Sequence, residues 1–224
     1  MRTAIVFMIA AIASSTSVFA LVNPFTEKFE SPASNWSIGS AFTPLTYISS
    51  GGSDGSSYGS RSISFANNNI GEFPILFRGQ SNFNSSGNAF VGNWITGGVT
   101  QLQFSVRHNV DAAVTFFARI APDPVTSPNP GGVIALTGPV AANQWTTFTV
   151  DIGPGSPFIY EGTTFAAVFS AVARLQIGVT IDAATAGKVG PYTFDIDNVA
   201  IIPTSSTLSM AAAGMMLAAR RRRR

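Results

Sequence analysis

Four separate segments alternate apolar and polar side chains, and this feature most limits what the chain can fold into. The alternation has a period of two in residues 101–109, 112–120, 146–152 and 175–181. A period of two places every second side chain on one face of an extended strand, whereas a helical face repeats about every 3.6 residues. The chain is therefore predicted to consist mainly of strands with one buried and one wet face.

Weaker candidates for strands cover residues 25–30, 60–65 and 72–77, and one short helix is predicted within residues 163–173. Stretches rich in Gly, Ser and Pro separate them, which is typical of tight turns. Two antiparallel sheets packed on each other bury the apolar side of each strand and protect the strand edges. We expect an all-β protein, an antiparallel β-sandwich that occupies residues 21–202.

The last predicted strand changes phase at Asp197 and Asn198. Phe194 and Ile196 belong to one alternation of apolar side chains, and Val199 belongs to the other. A slip of one residue in a regular strand would turn a whole apolar face toward water. We therefore predict a bulge or bend at Asp197-Asn198, a kind of irregularity that re-aims side chains and is frequent beside functional sites.

The charge distribution argues against nucleic acid as a partner. Of thirteen Lys and Arg residues, Arg2 and the five arginines at residues 220–224 supply six, which leaves seven against eleven Asp and Glu in the body of the chain. Nucleic-acid binders neutralise phosphates with clustered Lys and Arg, and no such cluster is visible in the body sequence. The chain has no cysteine, so disulfides and thiolate metal sites are excluded.

No catalytic motif stands out. His108 is the only histidine, and an isolated histidine at a strand end is more often a surface or hydrogen-bonded structural residue than a catalyst. Asp195 and Asp197 share one face of the last strand, and a carboxylate pair is the machinery of glycoside hydrolysis. Acids in this position are commoner in turns or metal sites, so we expect a protein that is not an enzyme.

Residues 1–20 have the three parts of a cleaved signal peptide. Arg2 supplies a positive start, residues 4–13 are apolar, and Val18 and Ala20 stand at the −3 and −1 positions of a signal-peptidase site. An apolar run of this length is too short to span the ~30 Å hydrocarbon core of a bilayer. Export with signal-peptidase cleavage after Ala20 is the prediction.

The chain ends in an apolar run, residues 208–219, followed by Arg220, Arg221, Arg222, Arg223 and Arg224. As a helix this run measures only about 18 Å, so we expect transient insertion into the membrane with the arginines on the cytoplasmic side. The alternative is an amphipathic segment that lies on anionic lipid. The methionines and leucines of the run leave no clear polar face for that arrangement.

The order of Pro203, a Ser-Thr-Leu step, a small-residue apolar run and an arginine cluster resembles the C-terminal PEP-CTERM sorting signal. In that family, an exosortase recognises and removes the tail. This chain lacks the Pro-Glu-Pro triplet, because residues 202–206 read Ile-Pro-Thr-Ser-Ser. The resemblance implies that residues 203–224 are a sorting signal and that the protein is secreted or held at the cell surface or in the extracellular matrix of a Gram-negative-type bacterium.

Four blocks in the body resemble the galactose-binding-like jelly rolls that include many carbohydrate-binding modules. They are a Phe-Glu step at residues 29–30, a Gly- and Ser-rich approach to a strand at 53–65, a Trp-Thr-Thr-Phe-Thr-Val strand at 145–150, and a closing Phe-Asp-Ile-Asp-Asn-Val-Ala-Ile strand at 194–201. The resemblance implies a jelly-roll fold and polysaccharide binding.

In that family, one acidic side chain from the first strand and one from the last often hold a structural calcium ion together with loop carbonyls. The resemblance therefore nominates Glu30 and Asp197 as metal ligands, and hard oxygens of this kind suit calcium. The alternative is that both carboxylates are solvated at a sheet edge. Asp54 belongs to a Gly-Ser-Asp-Gly string, which is more often simply a turn.

Sugar sites present an aromatic platform among polar side chains. Trp94, Trp36 and Tyr58 lie in polar, loop-rich sequence and are the candidates for carbohydrate binding, with Trp94 the first choice. Trp145 is interpreted as a strand residue packed inside. The prediction is an exported, non-catalytic protein that binds polysaccharide or other matrix material. A purely structural envelope or assembly module and a glycan-active enzyme are the alternatives.

Overall fold

The computed structural model describes residues 22–122, 131–135 and 138–204. The strands are β1 (Phe25–Glu27), β2 (Thr46–Ile48), β3 (Tyr58–Ile63), β4 (Ile75–Gln80), β5 (Val99–His108), β6 (Thr115–Ala121), β7 (Gly132–Ala135), β8 (Thr146–Asp151), β9 (Ile159–Tyr160), β10 (Arg174–Thr180) and β11 (Tyr192–Pro203). One helix, α1 (Phe165–Phe169), and three short 3-10 helices, Pro32–Ser34, Ser81–Phe83 and Ser85–Asn88, connect them.

The strands form two antiparallel sheets that pack face to face. The first sheet has the order β2-β3-β11-β5-β8, with β1 also paired to β11, and the second has the order β4-β10-β6-β7-β9. Their facing sides enclose one apolar core that includes Phe104, Phe116 and Ile177. The prediction of an antiparallel β-sandwich is confirmed.

The four alternating segments of the sequence become β5, β6, β8 and β10. In β5, Leu102, Phe104 and Val106 are wholly buried, while Gln101 and Gln103 on the other side of the strand are partly exposed. The three weaker candidates become β1, β3 and β4 with shifted ends. Local alternation thus predicts these strands because each has one face in the core.

The predicted helix is confirmed in shortened form as α1. Thr164 precedes it in an extended conformation, and its side-chain oxygen accepts a hydrogen bond from Ala167 N. This cap satisfies one of the amide groups that the first turn leaves without a helical partner.

The bulge at Asp197-Asn198 is also confirmed. The pairing of β11 with β5 shifts register between Asp197 and Ala200, and Asn198 has a positive φ of 48°. On its other edge, β11 pairs with β3 up to Ile196 and with β1 from Val199 onward. The bulge therefore lies where that edge passes from one partner strand to the next, and the loop of residues 51–57 fills the gap.

The two ends of the sandwich lie side by side. Thr204 N donates to Gly98 O, and a methyl group built on neighbouring Gly97 would lie 3.0 Å from Val22 O. Pro203, which the sequence assigns to the sorting signal, is the last residue of β11 and is buried opposite Val99.

The predicted signal peptide, residues 1–20, and the arginine cluster, residues 220–224, lie outside the described residues. No helix in the described part of the chain is long and apolar enough to span a bilayer.

Candidate functional site

The outer face of the first sheet is polar. Alternation places Gln101, Gln103, Ser105 and Arg107 of β5 on this face, away from the core. Three of them bond across to β8, in the pairs Gln101–Asp151 at 3.1 Å, Gln103–Thr149 at 3.2 Å and Ser105–Thr147 at 2.8 Å. These cross-strand bonds form an ordered row of amide, hydroxyl and carboxylate groups.

Two aromatic rings and one guanidinium stand at the end of this row. The rings of Tyr58 and Trp145 meet edge to face with centroids 5.5 Å apart. The guanidinium carbon of Arg107 lies 4.6 Å from the Trp145 ring and 5.0 Å from the Tyr58 ring. Both rings are half-buried rather than covered. We call Tyr58, Arg107 and Trp145 the aromatic cluster.

Buried groups fix the orientation of the aromatic cluster. Arg107 Nε and Nη2 each lie 2.8 Å from Asp195 Oδ2, and the other carboxylate oxygen accepts a 2.7 Å bond from the Ser60 hydroxyl. The indole N–H of Trp145 donates to Gly51 O at 3.0 Å. Charge-assisted bonds of this kind hold a guanidinium more firmly than neutral ones, so the aromatic cluster is pre-organised.

Asp197 anchors the loop of residues 51–57 to the bulge. Its Oδ2 accepts bonds from Ser53 N at 2.8 Å and from the Ser53 hydroxyl at 3.0 Å, and its Oδ1 accepts from Asn198 N at 2.7 Å. Burial raises the pKa of Asp197 above its ordinary value, and the nearby charge of Asp54 adds to this, while the bonds from Ser53 and Asn198 oppose it. The carboxylate is thus held in a site that disfavours its own charge.

Three oxygen atoms converge beside Gly52. A methyl group built on Gly52 would lie 2.6 Å from Asp197 Oδ2 and 2.9 and 3.0 Å from the carbonyl oxygens of Ser56 and Ser57. A carboxylate and two carbonyls are hard oxygen donors of the type that calcium prefers. All three already accept hydrogen bonds within the loop, Asp197 Oδ2 from Ser53, Ser56 O from Gly52 N and Ser57 O from the Ser56 hydroxyl.

Glu30 does not join that group. Its side chain is exposed, and its backbone carbonyl accepts a bond from the Tyr47 hydroxyl. Within the described ranges, no three His, Asp or Glu side chains come together in a way that would hold a metal ion. Asp54, interpreted from the sequence as a turn residue, bonds to Ser56 N in that role and lies 3.5 Å from Lys28 Nζ.

The structure contradicts three expectations about tryptophan. Trp94 and Trp36 are wholly buried. Their indole N–H groups donate inward, to Phe90 O at 2.9 Å and to the Ser86 hydroxyl at 2.8 Å. A buried ring cannot meet a sugar, so both are wrong as surface platforms. Trp145, interpreted as a core residue, is instead half-buried on the outer face.

Of the three aromatic candidates, Tyr58 alone reaches the polar face. Sequence reasoning missed its partners Arg107 and Trp145. One local signal could have placed Trp145 on the outer face. It directly precedes β8, in phase with the polar side chains of Thr147 and Thr149. Arg107 and Asp195 are 88 residues apart in the chain, and only the register of β5 against β11 brings them together.

His108 is a structural residue at the end of β5. Its ring packs parallel to Phe194 at 5.7 Å. Its Nε2 lies 3.0 Å from Val140 O and its Nδ1 accepts a bond from Val110 N. Nδ1 is thus an acceptor and Nε2 carries the only ring proton, so the imidazole is in its neutral form. Burial lowers the pKa of His108 below its ordinary value, opposed by the bond to Val140 O.

We expect the stability of the protein to fall as the pH drops below about 6.5, because the unfolded chain binds a proton on His108 that the folded chain resists. Above that pH, the contribution of neutral His108 to the free energy of unfolding is fully present. Urea unfolding at pH 7.5 and 5.5 measures it. His108→Gln should show a smaller pH-dependent loss than the natural protein, and an identical pH dependence in both proteins would contradict the assignment.

Comparison with solved structures establishes the jelly-roll fold. The family 11 carbohydrate-binding module of cellulosomal cellulase Lic26A-Cel5E of Clostridium thermocellum is 12% identical, with a TM-score of 0.51 over 83% of this chain and 97% of that module. An exo-β-agarase is 12% identical, with a TM-score of 0.50 over 79% of this chain and 24% of the enzyme.

The CBM22-1 and GH10 modules of xylanase Xyn10B of Clostridium thermocellum, complexed with xylohexaose, are 16% identical, with a TM-score of 0.47 over 80% of this chain and 28% of that structure. This chain thus spans about a quarter of the length of the agarase and of the xylanase fragment. No protein-family model and no curated protein matches the chain.

Proposed function

We propose that this protein binds polysaccharide without cleaving it, through the outer face of the first sheet. The observation that carries the proposal is the aromatic cluster, in which two half-exposed rings and a clamped guanidinium adjoin a row of hydroxyl and amide groups. A sugar ring has apolar C–H faces and a polar rim, so it needs aromatic and hydrogen-bonding groups side by side. The family 11 module with the same fold is named for carbohydrate binding.

The shape of the face suits a polymer. The row of polar pairs follows the β5–β8 ladder from Thr147 to Asp151, and five residues of a strand extend about 17 Å. An open strip of that length fits an extended glycan better than a single small sugar, which proteins usually enclose in a pocket.

The absence of catalysis is part of the proposal. Asp195 and Asp197 are the carboxylate pair that could form a glycosidase site, and both are buried, at 5% and 0% exposure. Asp195 is engaged by Arg107 and Ser60 and Asp197 by Ser53. Neither carboxylate is in a position to donate a proton to a glycosidic oxygen, which a glycosidase acid must do.

A structural calcium ion is the second part of the proposal. Asp197 Oδ2 and the carbonyl oxygens of Ser56 and Ser57 would hold it beside Gly52. The ion would neutralise a buried carboxylate and fix the loop of residues 51–57, whose Gly51 O receives the Trp145 indole N–H. The calcium site would thereby support one side of the aromatic cluster. Glu30 is not part of this ligand set.

Export and sorting complete the proposal. Residues 1–20 would direct secretion and be removed by signal peptidase, and residues 203–224 would act as a tail recognised by an exosortase-type enzyme, which would deliver the sandwich to the cell surface or matrix. Mass spectrometry of both ends of the mature protein tests this step. Intact termini on protein recovered from the cytosol would contradict it.

Replacing Trp145 with alanine is expected to weaken polysaccharide binding at least about tenfold, because aromatic side chains that a ligand covers contribute much of the binding energy. Tyr58→Ala should act in the same direction. A glycan array, followed by affinity electrophoresis in soluble xylan and mixed-linkage β-glucan, measures the effect. Phe42→Ala is the matched control, because this ring is 49% exposed and packs on Phe83 rather than on the aromatic cluster.

Unchanged binding in Trp145→Ala and Tyr58→Ala would move the sugar site elsewhere. Binding to none of the glycans, together with self-association of the natural protein, would favour the structural assembly module instead. Release of reducing ends that disappears in Asp195→Asn would favour an enzyme.

A further inference from the structure

Both sheets have edge strands, and β8 is the edge strand that is both long and open. The edge strands β1, β2 and β9 have only two or three residues each. β4 is longer, but Ser37 covers part of its edge through bonds in both directions with Arg78, at 2.9 Å. β8 has six residues and, in the part of the chain that the structure describes, pairs only with β5. An open strand of this length is a template for pairing with another chain.

Alternate backbone groups of β8 point away from the sheet. Ile152 N donates to Thr100 O at 2.7 Å, and the β5–β8 register places these two residues opposite each other. In an antiparallel ladder, residues that exchange bonds alternate with residues that point the other way. The even-numbered residues of β8 therefore bond to β5, and the odd-numbered ones, from Trp145 to Asp151, present their N–H and C=O groups to the open edge. No backbone bond from another described segment reaches them.

The side chains of β8 do not protect this edge. Natural sheets guard open edges with lysine, proline or a bulge, whereas β8 reads Thr-Thr-Phe-Thr-Val-Asp and pairs with β5 in a regular register. Thr147 and Thr149 are exposed on the outer face. On the inner face, Phe148 packs on Phe104 and Phe116, with ring centroids 5.8 and 6.4 Å apart. Phe148 nevertheless stays only half-buried, since no strand follows β8.

We propose that the open edge of β8 pairs antiparallel with β8 of a second copy of this chain, so that the two first sheets become one continuous sheet. A two-fold axis at Phe148 fits the observations. It places Thr147 opposite Thr149 and Trp145 opposite Asp151, so each pair that has to exchange bonds consists of odd-numbered residues. The two Phe148 residues then form a non-hydrogen-bonded pair, in which side chains approach most closely and cover each other.

Charge and strand length favour the same register. Asp151 is the only charged residue of β8, and this register sets it opposite Trp145 of the other copy. A two-fold axis at Asp151 would place like charges directly opposite, which destabilises strand pairs. An axis at Thr147 or Thr149 would pair strand residues with the turns on either side. A shift that sets even-numbered against odd-numbered residues would leave the edge groups without partners.

The pairing would lengthen the polar row on the outer face of the first sheet. The exposed threonines of β8 belong to that row, which would continue onto the second copy. The two Trp145 rings would lie about 20 Å apart, because six residues of strand separate them. One extended polymer could then contact both aromatic clusters, which raises the apparent affinity. The pairing itself does not rest on the proposed glycan binding.

Sedimentation velocity of the full-length chain without glycan, over a range of protein concentrations, measures the pairing. We expect a monomer–dimer equilibrium, since one strand pair buries less than the ~1,200–2,000 Å² of stable interfaces. Thr147→Pro removes an N–H from the open edge but keeps the bonds to β5. Because it removes one donor from each copy, it is expected to weaken dimerisation at least about tenfold. Ala183→Pro, in an exposed turn outside β8, is the control and should dimerise like the natural protein.

Disulfide cross-linking tests the register and does not depend on the folding of the proline variant. The chain has no cysteine, so Thr147→Cys and Thr149→Cys each introduce a single thiol. In the proposed register these positions lie opposite each other, with alpha carbons about 5.5 Å apart, which is within reach of a disulfide. A mixture of the two variants is expected to give a cross-linked dimer under mild oxidation, and each variant alone should give much less. Ser62→Cys, exposed on β3, replaces Thr149→Cys in the control mixture.

Three results would overturn the proposal. One is a natural protein that stays monomeric at every concentration. Another is a folded Thr147→Pro protein that dimerises like the natural one, which would place self-association elsewhere, as in the apolar run of residues 208–219. The last is equal cross-linking in the Ser62→Cys control mixture. A dimer that binds no glycan would contradict only the proposed function, and a monomer that binds glycan would contradict only the pairing.

Discussion

Replacing Trp94 with alanine is expected to lower the free energy of unfolding by about 3–5 kcal/mol, as for other large aromatic residues in protein cores. The indole is wholly buried, packs against Phe169 at 5.9 Å and donates to Phe90 O. Alanine would leave a cavity and an unsatisfied carbonyl. For a chain of this size, the loss corresponds to a thermal midpoint lower by on the order of 10 °C.

Two variants separate this structural role from sugar binding. Trp94→Phe keeps most of the apolar volume and should recover much of the stability, while Trp145→Ala should weaken glycan binding at a smaller cost in stability because Trp145 is only half-buried. Denaturant unfolding and affinity electrophoresis are run on all three proteins. A Trp94→Ala protein that is fully stable but binds no glycan would restore Trp94 as a binding residue.

Calcium is expected to raise the thermal midpoint of chelator-treated protein by about 5–10 °C, since saturation at 100 times the dissociation constant contributes about 2.7 kcal/mol. The physical reason is that Asp197 is buried, with its charge disfavoured, and a bound cation would offset that cost. Differential scanning calorimetry with EDTA and with millimolar calcium measures the shift.

Point variants test the ligand set. Gly52→Ala places a methyl group 2.6 Å from Asp197 Oδ2 and should abolish the response to calcium, as should Asp197→Asn. Gly155→Ala is the matched control, since a methyl group there meets nothing within 4 Å. Glu30→Gln should keep the response. If the thermal midpoint of the natural protein is the same with EDTA and with calcium, the proposed metal site is wrong.

The alternation of apolar and polar side chains predicts those strands that have one face in the core and one face outside it. Alternation is clear in β5, β8 and β10 because their inward side chains are core residues, and it is weaker in β6, where Phe117 is apolar on the opposite face. The phase change at Asp197-Asn198 predicts the bulge for the same reason. The short strands β2, β7 and β9 were missed because two to four residues are too few to establish a period.

Burial of single aromatic residues was not predictable from their neighbours in sequence. Trp36 lies in a polar stretch, yet its ring packs on Gly79, where a methyl group would be only 2.9 Å from the indole. The space for that ring is created by a glycine 43 positions away, on β4. The aromatic cluster depends in the same way on pairing between β3, β5 and β11, which no local window contains.

Val22 and Thr204, the first and last described residues, both lie beside the Gly97-Gly98 step. The domain can therefore be joined to another protein at one edge. The aromatic cluster lies at the other end of β5, at Arg107, far along the strand from Gly98. Proteins whose ends meet in this way tolerate circular permutation and insertion into a host loop. An attachment made beside Gly98 would therefore leave the aromatic cluster uncovered.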